Sequence, residues 1–182
     1  MSRPKILLGL TGSIACFKSA ALLSQLVQKD YEVKTVATPG ALRMIGEATL
    51  EGLSGSPVFK DIYESGRAMD HIHLAKWADL MLVCPTTANT LNAMANGITD
   101  SAISTLFLAW ELKSKPWWIA PAMNQAMWKH PITQRSLRAL AEIGVRILEP
   151  AEGHQACGDT GVGRMMEPDL ILGELTTWRE KR

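Results

Sequence analysis

The sequence contains a series of short apolar runs, each of strand length and each ended at once by a turn residue or a proline. The clearest runs cover residues 5–10, 80–84 and 117–120. Their apolar side chains follow one another without alternating polar positions, which is typical of strands buried on both faces of a parallel sheet. Apolar residues at helical spacing separate the runs. This alternation predicts a doubly wound, mostly parallel α/β fold in a single domain over residues 1–182.

The other segments complete this pattern. The further elements that we expect are helices over residues 16–29, 132–143 and 169–178, and strands over residues 32–37 and 145–148. Residues 153–165 contain four glycines. This composition predicts a mobile surface loop.

Composition disfavours several classes of protein. The chain has 19 basic and 18 acidic residues, a net charge of +1, so no strong overall field favours nucleic acid or an anionic membrane surface. No apolar run approaches the roughly 20 residues of a membrane span, and no secretory signal pattern is evident, so we expect a cytoplasmic protein. The three cysteines, Cys16, Cys84 and Cys157, lack metal-ligand spacing, and their odd number argues against a disulfide framework.

Glycine and polar residues follow the first three predicted strands at the points where they end. Ligands of open α/β sheets bind outside the carboxyl ends of the strands, so we expect these residues to line one site. They are Gly12, Ser13, Thr38, Thr87, Asn89 and Thr90. Gly12 and Ser13 suit a phosphate at a helix N-terminus, although the GxGxxG dinucleotide pattern is absent. Ordinary turn and helix-capping chemistry explains the same residues without a ligand.

The predicted strand over residues 117–120 stops at Pro121. This proline has no N–H group and biases Ala120 toward an extended conformation, so the backbone leaves the sheet here. Asn124 then projects at the same edge of the sheet, where it could bind a ligand. A plain strand end, with the following methionines and tryptophan in the core, is the alternative explanation.

Five segments together resemble the homo-oligomeric flavin-containing cysteine decarboxylases. Pro-Ala-Met-Asn-Gln-Ala-Met-Trp, from Pro121, is similar to the PxMNxxMW motif of that family, and residues 85–90, Pro-Thr-Thr-Ala-Asn-Thr, are similar to its PxSANT motif. The segment from His71, His-Ile-His-Leu-Ala-Lys-Trp-Ala-Asp, resembles the one that carries the family's active-site histidine. Gly-Ser-Ile, from Gly12, resembles its first flavin-contacting loop, and residues 153–165 resemble its substrate-covering loop. The resemblance spans nearly the whole chain.

This resemblance implies a Rossmann-like flavoprotein with FMN as its cofactor and no metal. The implied flavin-binding residues are Gly12, Ser13, Ile14, Thr38, Thr87, Ala88, Asn89, Thr90 and Ala122. Thr87 stands where the family has serine, so the hydroxyl is retained and the packing of the extra methyl group is left open.

The resemblance also implies catalytic roles for His71, Asn124 and Cys157. His71 rather than His73 matches the active-site histidine, because it directly precedes Ile-x-Leu, and it would handle a proton or orient substrate and flavin. The Asn124 amide would hold the departing carboxylate, and Cys157 would protonate an enethiolate. We expect Cys16 and Cys84 to be small core residues.

The family's chemistry implies an FMN-dependent oxidative decarboxylation of 4'-phosphopantothenoylcysteine to 4'-phosphopantetheine in coenzyme A synthesis. The cysteinyl thiol would be oxidised to a thioaldehyde, carbon dioxide would leave, and the electrons would return from the reduced flavin. The alternatives are a peptidyl-cysteine decarboxylase and a non-catalytic flavoprotein subunit that regulates a partner. The resemblance further implies a homo-oligomer built from trimers, up to a dodecamer, with flavin sites between subunits. It allows a phosphopantothenate-cysteine ligase domain or protein as a partner.

Overall fold

A computed structural model describes residues 3–182, and in this part of the chain five strands form one parallel sheet. The strands are β1 (Lys5–Leu10), β2 (Glu32–Ala37), β3 (Leu80–Thr86), β4 (Trp117–Pro121) and β5 (Arg146–Ile147). Their spatial order is β2-β1-β3-β4-β5, and every neighbouring pair is parallel. The doubly wound parallel fold predicted from the sequence is confirmed.

Helices cover both faces of this sheet. Those of residues 3–182 are α1 (Cys16–Gln28), α2 (Pro39–Leu42), α3 (Glu47–Ser54), α4 (Asp70–Trp77), α5 (Ala88–Ala95), α6 (Ala102–Leu108), α7 (Gln125–Lys129), α8 (Pro131–Glu142) and α9 (Pro168–Glu180). Leu8 of β1 belongs to one buried core with Leu175 of α9, whereas the adjacent Leu7 belongs to a second core with Leu140 of α8. Both faces of β1 are therefore buried, which explains its apolar run without alternation. Among the described helices, none has the length and apolar character needed to cross a bilayer.

The strand order reverses between β1 and β3. From β1 the chain crosses through α1 to β2 on one side of the sheet, while β3 lies on the other side of β1. The loops after β1 and β3 lead to helices that diverge from this point and leave a crevice outside the carboxyl ends of the strands. The predicted strand-end site therefore lies at the switch point of the sheet.

Residues 151–164 form a β-hairpin, whereas the sequence predicted a mobile surface loop over residues 153–165. Strand β6 (Ala151–His154) pairs in antiparallel fashion with β7 (Thr160–Arg164). Gly158, in the connecting turn, has a φ angle of 93°, a left-handed conformation that glycine adopts without a steric penalty. The two strands were missed because glycine has a low strand propensity, while the hydrogen bonds of a hairpin need only the backbone.

Candidate active site

Thr11 joins the ends of β1 and β3 at the switch point. Its side chain is fully buried. The Thr11 hydroxyl donates to the Pro85 carbonyl oxygen at 2.8 Å and accepts the Thr87 N–H at 2.9 Å. These two bonds hold the loop after β1 against the loop after β3. Thr11 is not among the residues predicted from the sequence to line the site, although it is a polar residue directly after a buried apolar strand.

A cavity of about 520 Å³, which we call the hydroxyl cleft, opens at this edge of the sheet. Its wall contains most of the residues predicted to bind flavin: Gly12, Ser13, Thr38, Thr87, Ala88, Asn89, Thr90 and Ala122. Ile14 lies instead in the wall of a neighbouring cavity. The cleft also contains residues that sequence analysis missed, namely Pro39, Gly40, Asp100, Ser101, Met123 and Met127. The tertiary structure thus brings residues from four strand ends together in one cleft.

The hydroxyl cleft is tight at Gly12. A Cβ atom at Gly12 would lie 3.1 Å from the backbone of Gly40, which is closer than ordinary packing allows. Thr38 accepts the Ala41 N–H at 3.2 Å, and Ser13 accepts the Ala15 N–H at 3.2 Å, so both oxygens have the turn and capping roles that sequence analysis left open. The hydroxyl protons of Thr38 and Ser13 can still be donated to a ligand.

The N-terminus of α5 borders the same cleft. Thr87 is its N-cap residue, and the Thr87 side chain makes no capping hydrogen bond to the N–H groups of the first turn. The Thr87 and Thr90 hydroxyl oxygens are 3.5 Å apart. The first-turn N–H groups of a helix lack partners within the helix and favour an anion. The cleft therefore combines hydroxyl groups and backbone donors in an arrangement that fits a phosphate.

The neighbouring cavity has a volume of about 480 Å³ and contains both Asn124 and Cys157 in its wall. We call it the amide–thiol cavity. Ser13, Ala122 and Met123 line this cavity and the hydroxyl cleft alike. A molecule bound in the cleft can therefore contact a second molecule bound beside Asn124 and Cys157.

The oxygen of the Asn124 amide is hydrogen-bonded within the protein. It is the N-cap residue of α7, and its Oδ1 atom accepts the Met127 N–H at 2.9 Å. This contact fixes the orientation of the half-buried amide and leaves its NH₂ group as the end that can donate to a ligand. An amide donor in a cavity wall suits a carboxylate.

Cys157 lies in the turn of the hairpin and is exposed. Its Sγ atom is 3.4 Å from Asp159 Oδ2 and 3.7 Å from Gln155 Oε1. The other two thiols are buried, as predicted: burial raises the pKa of Cys84 to about 12 and also raises the pKa of Cys16. Of the three cysteines, Cys157 is the one that a bound substrate can reach.

Two cationic side chains, Lys18 and Arg164, lie in the wall of the amide–thiol cavity. Both contact Glu167 at the start of α9, Lys18 at 2.6 Å and Arg164 at 3.0 Å. The hydrogen bond from Lys18 holds the pKa of the Glu167 carboxyl below its usual range. Two cations share one carboxylate here, so this wall carries positive charge that suits an anionic group.

His71 lies in α4 and, within residues 3–182, is not part of the wall of either cavity. Its Nδ1 atom is buried and has no hydrogen-bond partner among the described residues. His73 points elsewhere and lines a separate cavity of about 420 Å³ beside Trp77 and Lys34. The structure thus brings Asn124 and Cys157 together in one chain, but not His71, whose catalytic role stays a prediction. Residues 3–182 contain no group of three or more histidine, cysteine or acidic side chains arranged to hold a metal ion.

Comparison with known proteins agrees with this geometry. The chain is 40% identical over 174 residues to the coenzyme A biosynthesis bifunctional protein CoaBC of Bacillus subtilis. That match covers 94% of this chain but 42% of the relative, so the chain spans about two fifths of the length of this curated relative.

Solved structures superpose over nearly the whole chain. A PPC decarboxylase (PPC denotes phosphopantothenoylcysteine), as a cysteine-to-serine variant in complex with pantothenoylaminoethenethiol, has a TM-score of 0.88 at 33% identity, covering 98% of this chain and 99% of its own. The FMN-binding protein AtHal3 has a TM-score of 0.86 at 32% identity, covering 99% and 98%. The Flavoprotein family model matches residues 1–180. With its parallel sheet, its cleft at the switch point and this match over almost every residue, the chain belongs to the Flavoprotein family.

Proposed function

We propose that this chain decarboxylates 4'-phosphopantothenoylcysteine to 4'-phosphopantetheine with FMN as its cofactor. The observation that carries this proposal is the shared wall of the two cavities, at Ser13, Ala122 and Met123. Through this wall the hydroxyl cleft, whose donors fit a phosphate, lies directly beside the cavity that contains an amide and a thiol. The names of the similar proteins, which include a PPC decarboxylase and an FMN-binding protein, support the same substrate and cofactor.

The hydroxyl cleft fits FMN in its donor set. The uncapped N-terminus of α5 and the hydroxyl groups of Ser13 and Thr38 can hold the single phosphate of this cofactor, and the absence of GxGxxG disfavours a dinucleotide. Bound there, the flavin would supply a two-electron oxidation of the substrate thiol and later return the electrons.

The chain's own side chains bind the substrate and handle its protons. The Asn124 NH₂ group would donate to the substrate carboxylate. After oxidation of the substrate thiol, this carboxylate lies β to a thiocarbonyl. When it leaves as carbon dioxide, its electron pair can therefore remain in a delocalised enethiolate. The Cys157 thiol would then donate the proton that completes reduction of this enethiolate.

The charged wall favours a phosphorylated substrate over a peptide. Lys18 and Arg164 lie in the amide–thiol cavity and can contact a phosphate, which carries more negative charge than the backbone of a Cys-terminal peptide. The non-catalytic alternative does not explain why an oriented amide and an accessible thiol lie in one cavity. Synthesis of the substrate requires a ligase that joins cysteine to phosphopantothenate. We infer a ligase domain or protein as a partner, in line with the similarity to part of a bifunctional protein of coenzyme A biosynthesis, and a cytoplasmic location.

The purified protein should be yellow, release FMN rather than FAD on denaturation, and convert phosphopantothenoylcysteine to a product lighter by one carbon dioxide. With a Cys-terminal peptide of similar size, kcat/KM should be lower by about tenfold or more, because hydrogen bonds to the charged phosphate are lost. Absorbance of the released cofactor and mass spectrometry of the products provide the measurements. Colourless protein that FMN cannot reconstitute, or faster turnover of the peptide, would contradict the proposal.

The position of His71 supports an assembly with shared sites. Because His71 lines neither cavity of its own chain, we propose that it reaches the site of a neighbouring copy in a trimer or a multiple of trimers. His71 is half-buried in its own chain, which leaves part of the side chain accessible to a neighbouring copy.

Co-assembly of two inactive variants should restore activity if this proposal is correct. His71→Asn and Asn124→Asp would each be inactive alone, whereas a random mixed assembly should regain about a quarter of wild-type activity, since one subunit supplies Asn124 and its neighbour supplies His71. Light scattering on the co-expressed protein gives the assembly size, and the decarboxylation assay gives the activity. A monomer with flavin bound, or mixed assemblies without activity, would show that His71 does not act across subunits.

A further inference from the structure

Gln155 is a buried amide that joins the hairpin to the start of α7. Its side chain is 6% exposed. The Oε1 atom accepts the Gln125 N–H at 3.1 Å, and the Nε2 atom donates to the Val162 carbonyl at 3.2 Å and to the Gly161 carbonyl at 3.4 Å. Both ends of the amide are therefore bonded, one across to α7 and one within the hairpin.

The backbone of Gln155 also orders the turn that carries Cys157. The Gln155 N–H donates to the Asp159 carbonyl at 2.8 Å, and the Gly158 N–H donates to the Gln155 carbonyl at 2.9 Å. These bonds enclose Cys157 between two anchored residues. The position of the thiol is thus coupled to that of Gln155.

A second contact beside Gln155 packs the hairpin tightly against the segment before α7. The Met123 N–H donates to the Gly163 carbonyl at 3.0 Å, and a Cβ atom at Gly163 would overlap the Met123 carbonyl oxygen and lie 3.0 Å from Gln155 Nε2. Asn124 is therefore flanked by two residues whose N–H groups are bonded to the hairpin, Met123 through Gly163 and Gln125 through Gln155.

We propose that Gln155 is a positioning residue that sets the distance between the Asn124 amide and the Cys157 thiol. This inference rests on the proposed function. Asn124 binds the substrate carboxylate before carbon dioxide leaves, and Cys157 must afterwards reach the carbon of the enethiolate that remains beside Asn124. A shift of the hairpin relative to α7 would therefore slow the second step more than the first. Gln155 acts through Asn124 and Cys157 and transfers no proton itself.

Three variants of the FMN-loaded protein test this proposal. Gln155→Leu keeps a similar volume but removes every polar contact, Gln155→Glu keeps the acceptor for the Gln125 N–H, and Gln28→Leu is a matched change at an exposed glutamine of α1. We expect Gln155→Leu to bind FMN normally, to release carbon dioxide about tenfold more slowly, and to complete reduction about 100-fold more slowly, because buried polar partners are left unpaired. Most of its product should therefore leave as the enethiol, two hydrogens lighter than phosphopantetheine. Gln28→Leu should match the wild type.

The pH dependence of Gln155→Glu separates positioning from loss of packing. An ionised carboxylate cannot donate to the Gly161 and Val162 carbonyls, whereas a protonated one can. Burial and this donation favour the neutral form and raise the pKa of the introduced carboxyl. The activity of Gln155→Glu relative to the wild type should therefore increase as the pH falls, while that of Gln155→Leu should not change with pH in this way.

Hydrogen exchange gives a readout that does not depend on catalysis. In Gln155→Leu the N–H groups of Met123 and Gln125 should exchange at least about tenfold faster than in the wild type, because their hydrogen bonds to the hairpin open more often or are lost. Unchanged exchange there, or wild-type rates with only fully reduced product, would overturn the positioning role. If the wild-type protein itself releases no carbon dioxide, the proposed function fails, while the exchange rates still decide whether Gln155 holds the hairpin against α7.

Discussion

Cys157→Ser should release carbon dioxide in a single turnover at close to the wild-type rate and then stop. Decarboxylation needs no proton from this residue, whereas the later reduction needs an acid next to the enethiolate carbon. A serine hydroxyl is a far weaker acid than a thiol, so the reductive half should slow by about 100-fold or more. The expected products are reduced flavin and an enethiol two hydrogens lighter than phosphopantetheine, measured by absorbance and mass spectrometry. The variant should fold normally, because Cys157 is exposed in the hairpin turn.

Cys16→Ala is the matched control for this experiment. It removes a thiol that is buried and whose pKa burial raises, so it should cost some stability and leave the ratio of the two products unchanged. Phosphopantetheine formed by Cys157→Ser at the wild-type rate would end the claim that this thiol is catalytic.

Asn124→Asp should abolish decarboxylation with little effect on the fold. An aspartate keeps the oxygen that accepts the Met127 N–H, so the cap of α7 is preserved. It loses the NH₂ donor and places a negative charge where the substrate carboxylate should bind, which should lower the rate of carbon dioxide release by about 1,000-fold. The rate is measured in a single turnover, and the melting temperature and flavin content show whether the site is intact.

Two further variants separate loss of the donor from gain of charge. Asn124→Ser retains a capping oxygen without the amide and without a charge, so it should be impaired less than Asn124→Asp. Gln28→Glu makes the same amide-to-carboxylate change at an exposed position of α1 and should be fully active. Near-normal carbon dioxide release by Asn124→Asp would show that the Asn124 amide takes no part in decarboxylation.

The sequence determined the sheet and which strand ends contribute to the hydroxyl cleft. Apolar runs mark strands such as β1 and β3 because a strand buried on both faces needs an apolar side chain at nearly every position, and that requirement is local. Once the strands are known to be parallel, their carboxyl ends must share an edge. Gly12, Thr38 and Thr87 could therefore be placed in one site before any coordinates were available.

Only the tertiary structure decided how the reactive groups are held relative to one another. The Thr11 bond between two loops, the Gln155 link to α7 and the pairing that turns a glycine-rich segment into a hairpin all join residues that are distant in sequence or lack a side-chain pattern. Such hydrogen bonds form only where folding brings a donor and an acceptor close together, and the residue types alone do not show which groups become neighbours. The same reason explains His71: its motif identified the residue, but only the fold showed that it lies outside both cavities of its own chain.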